Sequence, residues 1–438
     1  MASDQAVTAQ APAALGRDSV LANRDFVRLW TGETISLIGT QVTQFTMPLV
    51  AIITLRATVF EVGVLNALRF VPVILLSLLA GVWLDRRRRR PILIACALGN
   101  AVLIGLIPLA SVTGLLTIGL LYAVVPVAGA LSMTFDVGAL SYVPFLVERR
   151  HLLAANSKLQ ASTSVAGVAG PGLAGLLVGL ITAPVTLSVD AVSYIFSALG
   201  LISIASVEPP PETGQEKVPV RRSIAEGLRA VYGNRLLRAL LTQGTALNLF
   251  FGSYIVVFVV YAVRVLGLTP GKLGIVLGAS AAGGVVGALS ATRVRQVLRF
   301  DRTMAVTTIG VSTALLLLLV PGDASLRSMG ILIAAQFVYG CSIAMSNVNA
   351  ITLRQAVTPQ HVLARMNATY RMLLYGSAPV GAIAGGLLGS AYGLRSALVI
   401  SLLTMISPAL WLIFSPVYRL REIPAGPESA NGMDGTDG

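Results

Sequence analysis

Charge is scarce in this sequence. Only 12% of its 438 residues are Asp, Glu, Lys or Arg, about half the share in an ordinary soluble domain. Lysine is nearly missing, with Lys158, Lys217 and Lys272 the only three. There are two cysteines and two histidines. Cys96 and Cys341 both fall inside apolar runs, so no disulfide framework is expected. No Cys, His, Asp and Glu cluster has metal-ligand spacing, so neither a metal nor a cofactor is expected. A Walker loop is missing, which excludes direct ATP drive. No nucleophile–base spacing marks an enzyme, and no sizeable soluble stretch marks a sensor. The polar N-terminal segment carries no signal-peptide core ahead of Phe26.

What is present is apolar. Hydrophobic residues make up 55% of the chain, and mean hydropathy is +0.80. One soluble core could not hide that much surface, so part of the solvent is lipid. Twelve stretches have about the 20 apolar residues that a spanning helix needs. They run over 28–53, 62–84, 91–112, 115–142, 157–182, 184–206, 238–263, 271–292, 303–321, 328–352, 367–392 and 395–416. Open strands would leave backbone groups unpaired in hydrocarbon, and the runs are too continuous for barrel strands. The expected fold class is an all-α integral membrane protein of twelve transmembrane helices. An N-terminal tail (1–27), a first six-helix half (28–206), a central linker (207–237), a second half (238–416) and a disordered tail (417–438) divide the chain. Within the linker, Ile224, Leu228 and Val231 share one helical face, which reads as a helix lying in the membrane interface.

The net charge of +13 is odd in so apolar a chain until it is placed. With the N-terminus in the cytoplasm, twenty-six cationic residues fall on the cytoplasmic side and five on the other, namely Arg56, Arg264, Lys272, Arg327 and Arg395. That is a positive-inside pattern with both termini cytoplasmic, and not a nucleic-acid footprint. The halves also repeat. His151-Leu-Leu-Ala-Ala-Asn-Ser matches His361-Val-Leu-Ala-Arg-Met-Asn, and Gly170-Pro171-Gly172 matches Ala378-Pro379-Val380. Two parallel six-span repeats are a transporter architecture.

The loop after the second span reads Gly81-Val-Trp-Leu-Asp85-Arg86-Arg-Arg-Arg89-Arg90. It resembles the Gly-x-Leu-x-Asp-Arg-x-Gly-Arg-Arg signature of the major facilitator superfamily, with Trp83 and Arg88 in place of the leucine and second glycine. The resemblance implies a gate cluster of Gly81, Asp85, Arg86, Arg89 and Arg90, in which the acid pairs with arginine and a helix terminus; a bare topology signal is the alternative. Span 5 reads Gly167-Val-Ala-Gly170-Pro171-Gly172-Leu-Ala-Gly175, similar to the Gly-Pro-x-x-Gly-Gly signature of antiporters in that superfamily. It implies a leak-tight hinge, against ordinary small-residue packing. Gly274, Gly278, Gly283 and Gly287 of span 8 and Gly381, Gly385, Gly389 and Gly393 of span 11 are expected at sliding faces between the halves. Leu68-Arg69-Phe70-Val71-Pro72, the loop 147–156, Asp190-Ala-Val-Ser193 and Glu226-Gly227-Leu228-Arg229 resemble the branch holding macrolide-efflux and enterobactin-exporter-like permeases. A monomer in the cell membrane, partnered by lipid, protons and a small-molecule substrate, follows from that resemblance.

An ionisable group in hydrocarbon costs about 2.5–3.5 kcal/mol on insertion scales, so each one needs a reason. Glu33 of span 1 and Asp136 of span 4 both lie near the cytoplasmic ends, and are the proton-coupling candidates; the alternative is an interfacial acid held by nearby arginine. Arg69 and Asp190 lie at matching depth toward the outer face and are expected to form a structural ion pair. A substrate cavity is expected among spans 1, 4, 7 and 10, lined by Gln41, Gln44, Met133, Asn248, Tyr254, Gln336 and Tyr339. Sparse polar groups among apolar ones suit amphipathic organic molecules. The expectation is a secondary exporter of a drug, antibiotic or siderophore, driven by proton antiport through alternating access; the alternative is an importer of a nutrient or metabolite.

Overall fold

The computed structural model describes residues 20–84, 87–206, 208 and 220–420. Every regular element among them is helical. In the first half these are α1 (Arg24–Leu49, continued by a π turn, Val50–Thr54), α2 (Val59–Leu84), α3 (Arg89–Val112), α4 (Ile118–Leu146), α5 (Leu152–Ile181) and α6 (Ala183–Ile202). The linker helix α7 (Val220–Gly233) follows. The second half holds α8 (Arg235–Arg264), α9 (Pro270–Leu298), α10 (Phe300–Ala314, extended by a 3-10 turn), α11 (Leu326–Val357), α12 (Gln360–Tyr392), and α13 (Leu394–Thr404) with α14 (Ser407–Phe414). Among the described residues, eleven helical stretches are long and apolar enough to cross a membrane. The helix α2, 26 residues long, occupies the remaining place in the expected order.

Helix starts are written in the local sequence. The side chains of Asn23, Thr117, Asn234, Thr269 and Ser325 each accept a backbone N–H of the first turn of α1, α4, α8, α9 and α11, supplying acceptors that a helix start lacks. The joint between α5 and α6 is a single residue, Thr182, at φ 88 and ψ 154. The corresponding joint between α12 and α13 is Gly393, at φ 80 and ψ 160. The same backbone corner thus recurs at the same place in both halves.

The packing repeats as well. In the first half α1 packs on α5 and α6, and α2 on α4; in the second half α8 packs on α12 and α13, and α9 on α11. The halves meet along α2 with α12 and along α5 with α9. Both seams are tightest at the end of the bundle away from the termini. At Gly63 a Cβ would sit 2.6 Å from the Ala382 carbonyl oxygen, and at Gly175 one would sit 2.5 Å from that of Pro270. Backbone meets backbone at these points, so only glycine fits. A guanidinium hydrogen bond from Arg264 to the Ala57 carbonyl crosses the halves at the same end.

The glycine series divides. Gly274 and Gly278 face α5, and Gly386 and Gly389 face α2, across the seams. By contrast Gly283 and Gly287 pack on α11, and Gly381 and Gly385 on α8, inside one half. The linker helix also differs from expectation. Val231 is fully buried, in a cluster that also holds residues of α8, α10, α11 and α12, and Glu226 pairs with Arg365 of α12. At Val231, then, the face of α7 expected in the membrane interface is covered by protein.

Candidate functional site

A cavity of about 480 Å³ opens between the halves, below the sealed end. Its walls come from α1, α2, α3, α4 and α6 of the first half and from α12 alone of the second. Most of the lining is apolar, including Met47, Leu65, Ile104, Met133, Val137, Leu140 and Met372. Gly129 lets α4 approach the backbone of α2, where a Cβ would meet Pro72 at 3.3 Å and the Arg69 carbonyl at 3.4 Å. Arg69 of α2 and Met133 of α4 both line the chamber beside this contact.

A polar chain within this lining ties the first half together. With its amide oriented to satisfy both ends, Asn100 donates to the Ala128 carbonyl (3.0 Å) and accepts from Ser132 (3.3 Å). Ser132 then accepts from the Tyr194 hydroxyl (3.2 Å), and Tyr194 accepts from Thr40 (3.2 Å). Four helices, α1, α6, α4 and α3, are joined by hydrogen bonds in one direction. Sequence spacing missed this chain, because spans 3 and 6 were not expected to reach the site. The polar Asn100 and Tyr194 midway along apolar helices were the available signal.

The ionisable residues gather here. Asp136, Asp190, Arg69 and Arg371 all line the cavity. The carboxyl of Asp190 is 1% exposed and accepts from Ser193 Oγ at 3.1 Å. Gly39 makes room for it, since a Cβ there would lie 2.6 Å from Asp190 Oδ1. Glu33 stands just outside the lining, with Oε2 buried and without a hydrogen-bond partner, and within electrostatic reach of Asp136. The expected Arg69–Asp190 ion pair does not form, because no carboxylate comes within 4.0 Å of Arg69 among the described residues. Both residues face the cavity from separate walls.

The structure brings only part of the expected cavity set together. Gln44 and Met133 line it. Gln41 instead packs on Gly170, and Asn248 turns back on its own helix to the Gly244 carbonyl (3.1 Å). Gln336 donates to Tyr254 (2.8 Å) in the buried core, while Tyr339 stacks on Phe251 with ring centroids 5.7 Å apart. Aromatic packing between α8 and α11 fills the space that was expected to be open.

The gate cluster is described in part. Asp85 and Arg86 lie outside the described residues, and Gly81 lies within α2. Arg89 and Arg90 begin α3, and their backbone N–H groups donate to the two oxygens of Glu208 (2.9 and 3.1 Å). Arg90 also reaches the last carbonyls of α6, Leu201 (3.0 Å) and Ile202 (2.7 Å). Glu208 is a residue that sequence reasoning missed. In the antiporter-like motif, Gly170 packs on α1, Pro171 and Gly175 pack on α9, and a Cβ added at Gly167 or Gly172 would meet nothing within 4 Å.

Known proteins were compared with this architecture. A family model described as transmembrane secretion effector matches residues 18–433. The multidrug efflux pump Tap of Mycolicibacterium fortuitum is 29% identical over 364 residues, covering 80% of this chain and 86% of that protein. The enterobactin exporter EntS of Citrobacter koseri is 24% identical over 370 residues, covering 81% and 83%. A crystal structure of a bacterial homologue of the iron transporter ferroportin in its inward-facing state superposes with a TM-score of 0.72 at 16% identity, covering 90% of this chain and 99% of that one.

Proposed function

The chain belongs to the transmembrane secretion effector family of the major facilitator superfamily, and we propose that it exports amphipathic small molecules by proton antiport. The observation that carries this reading is the cavity itself, apolar on most of its wall, sealed at one end by glycine seams and holding carboxyls where two halves meet. Its wall is mostly apolar in area but carries charged and polar groups among the apolar ones, such as Asp136, Asp190, Arg69 and Gln44, which suits an amphipathic drug-like or siderophore-like solute. The positive-inside rule puts the termini in the cytoplasm, so the sealed end faces outward and this conformation is inward-facing. Alternating access then requires the seams of α2 with α12 and α5 with α9 to part while the termini end closes.

Asp136 and Glu33 are the proposed proton carriers. One lines the cavity and the other lies beside it, so a proton can pass between solvent and wall without crossing hydrocarbon. Tolerance to a broad antibiotic panel, in a host stripped of its own pumps, should rise when the chain is expressed. In everted vesicles, Glu33→Gln and Asp136→Asn should abolish the response of dye accumulation to an imposed proton gradient. Wild-type response in both variants would remove the coupling assignment. Unchanged tolerance together with uptake of a nutrient would overturn export.

A further inference from the structure

Arg69 is a cation without a counter-ion. It stands on α2 facing the cavity, in a setting where a guanidinium is costly. Among the described residues it makes no ion pair or hydrogen bond, and its one aromatic contact is the adjacent Phe70, 5.9 Å to the ring centroid. Arg371 presents the same picture from the other half. It faces the cavity from α12, with the Tyr375 ring 6.0 Å away and, among the described residues, no carboxylate within 4.0 Å. Other arginines of this protein are engaged where they pack. Arg354 lies 4.1 Å over Tyr370, Arg28 pairs with Asp25 (2.9 Å), and Arg90 caps α6. The two cavity acids do not fill the vacancy, since Asp190 is turned to Ser193 and Asp136 is not within ion-pair distance of either arginine.

We propose that Arg69 and Arg371 form the anion site of the cargo chamber, so that the preferred cargo is an amphipathic molecule bearing one carboxylate or similar acidic group. This rests on reading the cavity as the cargo chamber. A guanidinium presents a planar fork that matches an oxyanion, and here two such forks, one from each half, line one cavity and are available to a single acidic group. The hydrocarbon body of the cargo then lies on Met47, Leu65, Met133 and Met372. The two arginines belong to different halves, so in the empty chamber their charges oppose closure of the termini end. A cargo anion between them converts that repulsion into attraction on both sides. A neutral molecule of the same shape gains the apolar contacts alone.

The test compares dansylglycine with dansylglycinamide, which share a fluorophore and differ only in the acid. Both are titrated by fluorescence against the purified full chain in lipid nanodiscs. The acid should bind at least about tenfold more tightly, as expected of charge-assisted hydrogen bonds. Arg69→Gln and Arg371→Gln should each bring the acid down to the level of the amide. Affinity for the amide should stay within about twofold in both, which also reports that the variants are folded. Arg69→Lys and Arg371→Lys should keep part of the preference. Equal binding of the two probes, a preference that survives either glutamine substitution, or no saturable binding of the acid would overturn the proposal. The assay reads binding without transport, so its outcome is separate from the direction of transport and from proton coupling.

Discussion

At the scale of single residues, Glu208 does the most for its size. Its carboxylate accepts two consecutive backbone N–H groups at the start of α3, where a helix has unpaired donors and a favourable dipole for an anion. Removing such a cap costs about 1–2 kcal/mol. Glu208→Ala should therefore lower the denaturant midpoint of the purified protein, and Glu208→Gln should lower it less, because an amide oxygen still accepts. An unfolding curve for the alanine variant that overlays wild type would reject the cap. A carboxylate at this end of the bundle was legible in the sequence, but it was sought at Asp85, inside the arginine run. Glu208 pairs with residues 118 and 119 positions away, and a lone acid ahead of three prolines carries no periodic signal. The proton-coupling candidates were legible for the opposite reason, since any acid inside an apolar run stands out. Which of them reaches the cavity depends on how each helix is rotated, and that is decided by packing.

At the scale of elements, the seam of α5 with α9 ranks the glycines of the antiporter-like motif. Spacing alone shows that they crowd one helix; it does not show what each one meets. A Cβ added at Gly175 would meet the Pro270 carbonyl, and one added at Gly172 would meet nothing within 4 Å. Gly175→Ala would force the backbones apart in the conformation seen here, an overpacking cost of about 1–3 kcal/mol. Parting the seam relieves that cost, so the equilibrium should move toward the state open at the far end by about 5- to 150-fold. Gly172→Ala should leave it unmoved. The measurement is labelling of Met133→Cys by a membrane-impermeant maleimide added outside intact cells, in a chain whose Cys96 and Cys341 are serine. Labelling should rise in Gly175→Ala and stay at the parent level in Gly172→Ala. Equal labelling in all three would show that this seam does not hold the conformation.

At the scale of the whole molecule, the distribution of charge and the placement of the seams give one testable orientation. The bundle has a termini end rich in arginine and a far end with few cations, two of which are engaged locally. Arg264 clasps the Ala57 carbonyl of the other half, and Lys272 donates to the Ala324 carbonyl at 3.0 Å. The helix count and the charge asymmetry were legible in the sequence because each is a sum over many residues, and a sum survives errors at single positions. The off-centre cavity was not, because it depends on which helices the aromatic block of Phe251, Tyr254 and Tyr339 fills solid. The charge bias predicts that the arginine-rich end stays in the cytoplasm, where positive loops are retained. Green fluorescent protein fused after Arg419 should therefore fluoresce. Alkaline phosphatase fused after Gly114, in the turn joining α3 to α4, should be active, and the same enzyme fused after Glu148, between α4 and α5, should be inactive. Active phosphatase at Glu148 would invert the molecule. The glycine seams would then close toward the cytoplasm, the present conformation would be the outward-facing one, and the chamber would be open on the side where an exporter releases its cargo.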